Sequence, residues 1–451
     1  MTGSSEEDGL NVESLSVRVA ITTLGCKVNQ YESAAIGEAL SQRGYTMVPF
    51  SATADCYIIN TCTVTARTNY QSRQIIRQAI RKNPEAVVVV TGCYAQTASA
   101  EIAEIPGVTL IAGHSEKEQI PDLIGHLLKN QLEVRVGNIQ ETRQFSSLEL
   151  TRFQDHTRAF LKIQDGCNAW CSYCIVPSAR GRSRSLAADK VMENLTRLGR
   201  TGYREVVLTG IHLGAYGHDF SPTFSLVDLL HKVEEQRPVE RLRLSSIEPT
   251  EISDDLISLL QRSALLCPHL HIPLQSGDDA ILSRMKRHYT ASFFKTLLEK
   301  LSASIPDLAI GIDVIAGLPG EDDTAFEHTV QLIEALPVSY LHVFPYSVRS
   351  GTPAAGMPNQ VPPDEKKKRA EILRNLGNRK REAFARRFQD RCLRVLVEKR
   401  RERKSNLMKG FSDNYLPILL TNSDISQVNQ LVNVRIEGID GTRILGRIIA
   451  P

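Results

Sequence analysis

The chain has 451 residues, 42% apolar and 23% charged, ordinary globular values with room for two or three domains. No apolar run approaches a membrane span, and Met1 to Leu15 is acidic and Ser-rich, without the basic and apolar parts of a signal peptide. This argues against a membrane-embedded or secreted protein, so no membrane partner and a reducing, cytoplasmic location are expected, with the cysteines as metal ligands rather than disulfides.

From the N-terminal end the chain alternates strands and helices. Ser16 to Leu24 reads as a strand, Tyr31 to Arg43 as a helix stopped by Gly44, Cys56 to Asn60 as a short apolar strand, and Ala66 to Arg81 as a helix. Asn83-Pro84 turns into Val87 to Val90, apolar on both faces as buried parallel strands are. A strand near Leu110 and a helix from Glu116 to Lys129 complete a flavodoxin-like pattern. Cys26, Cys62 and Cys93 each follow one of the strands. In a parallel sheet these three loops leave from the carboxyl edge, where such folds bind ligands, so the three thiols are expected to converge. The alternative is three unrelated buried thiols, and Cys56, Cys267 and Cys392 are read that way.

Leu132 to Thr157 is polar, lacks a strong period and reads as a linker. A second alternation follows, with strands at Phe160 to Gln164, Glu205 to Thr209, Arg241 to Ser245, His269 to Pro273, Ala309 to Ile315 and Tyr340 to Pro345. Six such units imply a partial (β/α)6, TIM-like barrel. Directly after its first strand comes Asp165-Gly166-Cys167-Asn168-Ala169-Trp170-Cys171-Ser172-Tyr173-Cys174, a C-x3-C-x2-C loop. Three soft thiolates on one loop suit iron–sulfur or zinc chemistry. A closed zinc site needs a fourth ligand, yet the chain has no second C-x2-C and no His within a few residues of the loop. Three thiolates on a four-iron cluster would leave one iron open.

Polar groups follow the other strands: Thr209-Gly210, Ser245-Ser246-Ile247-Glu248, Gln275-Ser276-Gly277 and the turn Gly317-Leu318-Pro319-Gly320-Glu321. Each is weak alone, but on one rim with the cysteine loop they read as a cofactor bed. Arg180 and Arg184 are candidate carboxylate partners, because a planar guanidinium fits a carboxylate bidentately; surface salt bridging is the plainer alternative.

Pro362-Pro363-Asp364 ends the barrel and opens a helix to about Asp390. Leu393 to Glu398, then Val432 to Glu437 and Ile444 to Ile449 around Asp440-Gly441, give three or four short strands, an OB-like small barrel. The net charge of +3 hides residues 361–410, where 18 Lys and Arg face 7 Asp and Glu. That excess, including Arg400, Arg401, Arg403 and Lys404, points to a polyanion such as RNA, with a solvated helix face as the alternative.

Gly166-Cys167 to Cys174, continuing through Ile175-Val176-Pro177 and Ala179-Arg180-Gly181, resembles the signature of radical S-adenosylmethionine enzymes, and more narrowly of methylthiotransferases. The resemblance implies a 4Fe–4S cluster on Cys167, Cys171 and Cys174 whose open iron chelates S-adenosyl-L-methionine, and one-electron cleavage to a 5′-deoxyadenosyl radical. It implies Tyr173 against the adenine, Thr209 and Gly210 at the methionine end, Ser245 and Glu248 on the ribose side, and Gly317 and Gly320 on the adenine side. Thr23 to Ser33, Asn60 to Val64 and Gly92 to Gln96 resemble the family's N-terminal domain, which implies a second, auxiliary 4Fe–4S cluster on Cys26, Cys62 and Cys93 whose sulfur ends in the product. The C-terminal segment is similar to the TRAM RNA-binding module. The domains are therefore expected at 16–132, 155–385 and 388–451.

The family has two tRNA branches and one acting on a ribosomal protein. Cys26 to Ser33, Gly311 to Glu321 and Val343 to Pro353 resemble most the branch acting on N6-threonylcarbamoyladenosine next to the anticodon of tRNA. A reducing electron-donor protein and a sulfur source are implied as partners. The rivals are a methylthiotransferase acting on isopentenyladenosine or on a ribosomal protein, and a non-catalytic metal-binding RNA-binding protein. Met1 to Leu15 has no counterpart and is expected to be disordered.

Overall fold

The computed structural model describes residues 17–129, 131–145, 148–153 and 156–449, so the tail Met1 to Leu15 lies outside the described residues. The first sheet contains β1 (Arg18–Thr23), β2 (Thr46–Met47), β3 (Cys56–Thr61), β4 (Val87–Gly92), β5 (Leu110–Ala112) and β6 (Glu133–Arg135). Their order is β2-β1-β3-β4-β5-β6 and every pair is parallel, the flavodoxin-like order with one further edge strand. Helix α1 (Lys27–Gln42) covers one face, where Ile36 and Leu40 meet Ile58 and Val89. Helix α2 (Ala66–Lys82) covers the other, where Ile76 and Ala79 meet Ile59 and Val88. That two-sided burial is why the valine run shows no alternation.

Two features differ from the sequence expectation. The edge strands β2 and β6 are too short to carry a period, and β6 falls in the stretch read as linker. The helix expected over 116–129 is instead a succession of short turns, Lys117–Gln119, Ile120–Leu123 and Ile124–His126. Pro121 withholds an amide there and Gly125 weakens the helix.

The barrel strands are β7 (Ala159–Lys162), then, beyond the hairpin of β8 (Gln164–Asp165) and β9 (Arg184–Ser185), β10 (Glu205–Thr209), β11 (Arg241–Leu244), β12 (His269–His271), β13 (Ala309–Ala316) and β14 (Tyr340–Pro345). They stand as two parallel three-stranded sheets, β11-β10-β7 and β12-β13-β14. Isolated parallel bridges, Leu242 to Leu266 and Ser246 to His271, join the two into an open six-stranded barrel. Tyr31 and Ala35 of α1 belong to the barrel's own core, so the first domain packs into its flank.

The helix Pro363–Arg386 runs against β13 and β14 and stops short of the expected Asp390, which takes a positive φ of 62°. Five strands rather than three or four follow: β15 (Cys392–Arg401), β16 (Met408–Ser412), β17 (Pro417–Leu420), β18 (Leu431–Asp440) and β19 (Arg443–Ile448). They close a barrel in the order β15-β16-β17-β19-β18. This small barrel docks on the large one through charge. Glu205 lies 2.9 Å from Arg241 and 2.8 Å from Arg243, and Arg241 reaches Asp413 at 2.9 Å. Tyr415 packs against His269 with ring centroids 4.5 Å apart and planes tilted by 37°. No helix among the described residues is long and apolar enough to cross a membrane.

Candidate active site

Cys26 caps α1, Cys62 lies one residue past β3, and Cys93 opens the short helix Cys93–Thr97 after β4. Asparagines tie these loops together. Asn29 Nδ2 donates to the carbonyls of Leu24 (2.8 Å) and Thr61 (3.0 Å), and Asn60 Nδ2 donates to that of Asn29 (3.0 Å). Gly25 has φ 101°, and a Cβ there would stand 2.8 Å from Cys62 Cβ, so only glycine lets the first two loops approach. Cys26 is exposed, whereas Cys62 and Cys93 are buried. Burial pushes the Cys93 thiol up to about 12, opposed by Arg180, and both Cys26 and Cys62 act on it electrostatically. The three thiols therefore share one neighbourhood.

Cys167, Cys171 and Cys174 sit on the loop that the β8–β9 hairpin closes at its neck. Gly166, with φ 73°, starts the loop against the carbonyl of Arg182. Arg287 Nη1 donates to Cys171 Sγ at 3.3 Å, and the same nitrogen reaches Glu248 Oε1 at 3.2 Å. His212 Nδ1 lies 3.5 Å from Cys167 Sγ, and its Nε2 lies 2.7 Å from Glu251 Oε1. Against burial, the bonds to Cys167 and Glu251 hold His212 up at about 10. Two cations thus face thiols that would be anionic as ligands.

The donor set fits an iron–sulfur cluster better than one zinc ion. Around a single zinc, bonds of about 2.3 Å put sulfurs roughly 3.8 Å apart. Among the described residues, the group whose donor atoms all lie within 4.8 Å of one another is His271, Asp313 and His342, not either cysteine triad. In that group Asp313 Oδ1 accepts from His271 (2.9 Å) and His342 (3.3 Å), so its members satisfy one another.

Beside Cys174 lies a cavity of about 230 Å³. One wall is Val64 and Thr65, just beyond Cys62; the others are Tyr173, Cys174, Gln275, Asp313, Phe344 and Tyr346. The first domain is held over it by Ala66 N to Ser347 Oγ (2.9 Å) and Arg349 to Thr63 Oγ1 (2.8 Å). Around the rim, Thr209 ends β10, and a Cβ at Gly210 would press 2.9 Å from Gln164 Cβ. Gln275 takes φ 66°. Ser245 Oγ is buried with no hydrogen-bond partner, an open polar atom where a ribose is expected. Gly317 N donates to Glu321 Oε1 at 2.8 Å, and Arg369 of the long helix holds Glu321 at 2.9 Å. Gly320 (φ 83°) packs against Arg284 in the same turn.

Arg180 and Arg184 depart from expectation. Arg180 is 1% exposed and its partners are the chain's own carboxylates, Glu32 and Asp165, each at 2.9 Å. Lys162 joins both, at 3.1 Å and 3.2 Å, and Lys117 pairs with Glu32. Arg184 donates to the carbonyls of Arg180 (3.1 Å) and Arg182 (2.9 Å). Arg180 therefore ties the cluster loop to α1, and Arg184 braces the loop's own neck, instead of facing a cofactor carboxylate. Burial raises the Glu32 carboxyl, but Arg180, Lys117 and Lys162 outweigh it and hold the group well below the usual carboxylate range.

Arg400, Arg401, Arg403 and Lys404 are exposed at the end of β15 and in the turn after it. Lys399, Arg400 and Lys409 border a cleft of about 220 Å³ that runs back to Arg158 on the large barrel. Sequence reasoning missed His212, Arg287, Lys162 and the role of Glu32. Only His212, two residues past Thr209-Gly210, carried a signal, because the others act through partners far along the chain.

Residues 18–113 match the family described as uncharacterized protein family UPF0004, and residues 161–333 match the radical SAM superfamily. A threonylcarbamoyladenosine tRNA methylthiotransferase of Bacillus subtilis is 42% identical over 93% of each chain. Its counterpart in Aquifex aeolicus is 37% identical over 84% of this chain and 93% of its own. A tRNA-2-methylthio-N6-dimethylallyladenosine synthase of Clostridium tetani is 32% identical over 92% of this chain and 93% of its own. Among solved structures, a radical S-adenosylmethionine methyltransferase from Kitasatospora setae aligns over 75% of both chains with a TM-score of 0.55 and 18% identity, a likeness of fold.

Proposed function

The chain belongs to the threonylcarbamoyladenosine tRNA methylthiotransferases, and from that membership we propose that it transfers a methylthio group to C2 of N6-threonylcarbamoyladenosine beside the tRNA anticodon. The observation that carries the reading is the single cavity with the Cys62 loop on one wall and the Cys174 loop on another. In this reading Cys167, Cys171 and Cys174 hold one 4Fe–4S cluster and the S-adenosyl-L-methionine beside it, and Cys26, Cys62 and Cys93 hold a second. When bound, these groups supply one-electron cleavage, the methyl group and the transferable sulfur, chemistry that side chains alone do not provide.

The chain's own residues bind, orient and exclude. Arg287 and His212 donate to two ligand sulfurs, which withdraws charge from the first cluster and sets its potential. Tyr173 and Phe344 give the cavity flat apolar walls suited to a base turned out of a loop. The Ala66 amide's bond to Ser347 Oγ and the bond Arg349 donates to Thr63 Oγ1 keep the first domain over the mouth and limit water. The exposed basic edge around Arg400 to Lys404 grips the stem phosphates. A cytoplasmic setting, an electron-donor protein and a sulfur source complete the proposal.

Nucleoside mass spectrometry of tRNA from a strain lacking this chain, with and without its restoration, tests the reading. Restoration should convert N6-threonylcarbamoyladenosine to its 2-methylthio form. Methylthiolation of isopentenyladenosine or of a ribosomal protein instead would overturn it.

A further inference from the structure

Trp170, the chain's only tryptophan, lies in the loop between Cys167 and Cys171 and is 52% exposed. Its backbone takes a φ of 49°, a left-handed conformation that costs a bulky residue energy. Neither burial nor local backbone preference accounts for an indole at this point. Tyr173, three positions on, lines the cavity described above. The loop therefore gives one aromatic to the cavity and one to the surface.

The neighbourhood of that loop is basic. Ser172 N donates to the carbonyl of Met285 at 3.1 Å, and Ser172 Oγ to that of Arg284 at 3.0 Å. These bonds clip the cysteine loop to residues 284–288, so Trp170 and Lys286 emerge from one junction. Lys286 is exposed, with a φ of 55°, and Arg182 is exposed at the loop's neck, where its carbonyl meets Gly166. Among the described residues neither Lys286 nor Arg182 pairs with a carboxylate. Exposed lysines on the barrel's helices are matched instead, Lys190 with Glu193 and Lys300 with Asp254.

One side chain separates this surface from a ligand sulfur. A pit of about 400 Å³ is lined by Lys286, Arg287, His288 and Tyr289, with one carboxylate, Asp279, whose Oδ1 already accepts from Ala291 N at 2.7 Å. Arg287 is the buried wall of the pit and donates to Cys171 Sγ at 3.3 Å. Cys171 is also the residue that follows Trp170. Pit and indole thus flank the same thiol.

Cleavage of S-adenosyl-L-methionine at the first cluster consumes one electron per event, and that electron enters from outside the chain. We infer that Trp170, Arg182 and Lys286 form the docking surface for an acidic one-electron carrier protein, an inference that rests on the cluster assignment above. The carrier is oxidised by one electron, and the cluster on Cys167, Cys171 and Cys174 is reduced by one. Cations without counter-charges steer an acidic partner, and an exposed indole anchors a small, short-lived interface. RNA could meet the same charges, but it has the basic edge of β15, and nothing in RNA binding calls for closeness to Cys171.

The test mixes anaerobically reconstituted enzyme with fully reduced flavodoxin, an acidic flavin carrier, and follows oxidation of the flavin by stopped-flow absorbance. Dithionite, a small reductant that needs no docking surface, is the control, with iron content as the check on assembly. Trp170→Ala and the double variant Arg182→Glu with Lys286→Glu should each lower the second-order rate with flavodoxin about tenfold. Reduction by dithionite should be unchanged in both. The wild-type rate should fall with added salt, and the double variant should lose that dependence. Equal flavodoxin rates in wild type and the double variant, or an equal loss with dithionite, would overturn the inference. Should Trp170→Ala lose iron, the double variant decides alone. Weaker tRNA binding with an unchanged flavodoxin rate would give the patch to RNA and overturn the inference as well. A wild-type protein whose reconstituted iron dithionite cannot reduce would instead sink the cluster assignment, so the two failures are distinguishable.

Discussion

Arg180 Nη1 lies 2.9 Å from Glu32 Oε1, an ion pair spanning 148 positions of sequence with both side chains buried. It bolts α1 of the first domain to the turn that follows the second cysteine loop. Glu32→Gln leaves Arg180 and Lys162 with Asp165 alone and Lys117 without a carboxylate, a deficit expected to cost about 3–5 kcal/mol. Denaturant unfolding should show the loss.

Glu205 gives the acid limit of the fold. Burial raises its carboxyl, but Arg243 and Arg241 outweigh that and bring it from 4.5 to about 2. A depressed folded value stabilises above the ordinary one, so the contribution is full above pH 4.5 and is lost as pH falls toward 2. The shift corresponds to about 3 kcal/mol. Acid-unfolding curves should be shallower over that window for Glu205→Gln, which should also be less stable at neutral pH because its arginines lose their counter-charge.

Gly25→Ala separates the two cysteine sets. The new Cβ meets Cys62 at a backbone φ that side chains avoid, so the first set should be disrupted while the second is untouched. Iron after anaerobic reconstitution should fall from about eight to about four per chain, the count of one four-iron cluster. A wild-type value near four would remove the second cluster altogether.

Arg287→Met removes the donor to Cys171 Sγ. Without it the first cluster should be harder to reduce, by an amount on the order of 59 mV, the equivalent of a tenfold change for one electron. Redox titration followed by electron paramagnetic resonance measures this, and an unchanged or raised potential would count against the assignment.

Acidifying Arg400, Arg401 and Arg403 should weaken tRNA binding and lower the steepness of its salt dependence by about 2 or more, given up to three phosphate contacts. Binding isotherms over a salt series decide it. An unchanged slope would place the RNA elsewhere.

Much of the fold was readable because barrel strands such as Glu205 to Thr209 and Ala309 to Ala316 are compact, largely apolar runs. The placement of Cys26, Cys62 and Cys93 followed from the same rule, since strand ends in a parallel sheet share an edge. The uses of Arg180 and Arg184 could not be read this way. Guanidinium chemistry allows a cofactor carboxylate or a protein one equally, and only folding brings Glu32 within reach of Arg180. His271, Asp313 and His342 were hidden for a related reason, each standing on a separate strand of the same barrel.

Tyr415 belongs to the small barrel, yet its ring rests on His269 and so forms part of the floor beneath the large one. The basic edge of β15 and that floor are two parts of one closed module, pinned in place by Arg241 and Arg243. Their separation from the cavity is therefore a fixed length and not a tether's reach. In the function proposed above, a stem held at that edge would fix how far along the strand the base delivered to the cavity lies, as calipers fix a length.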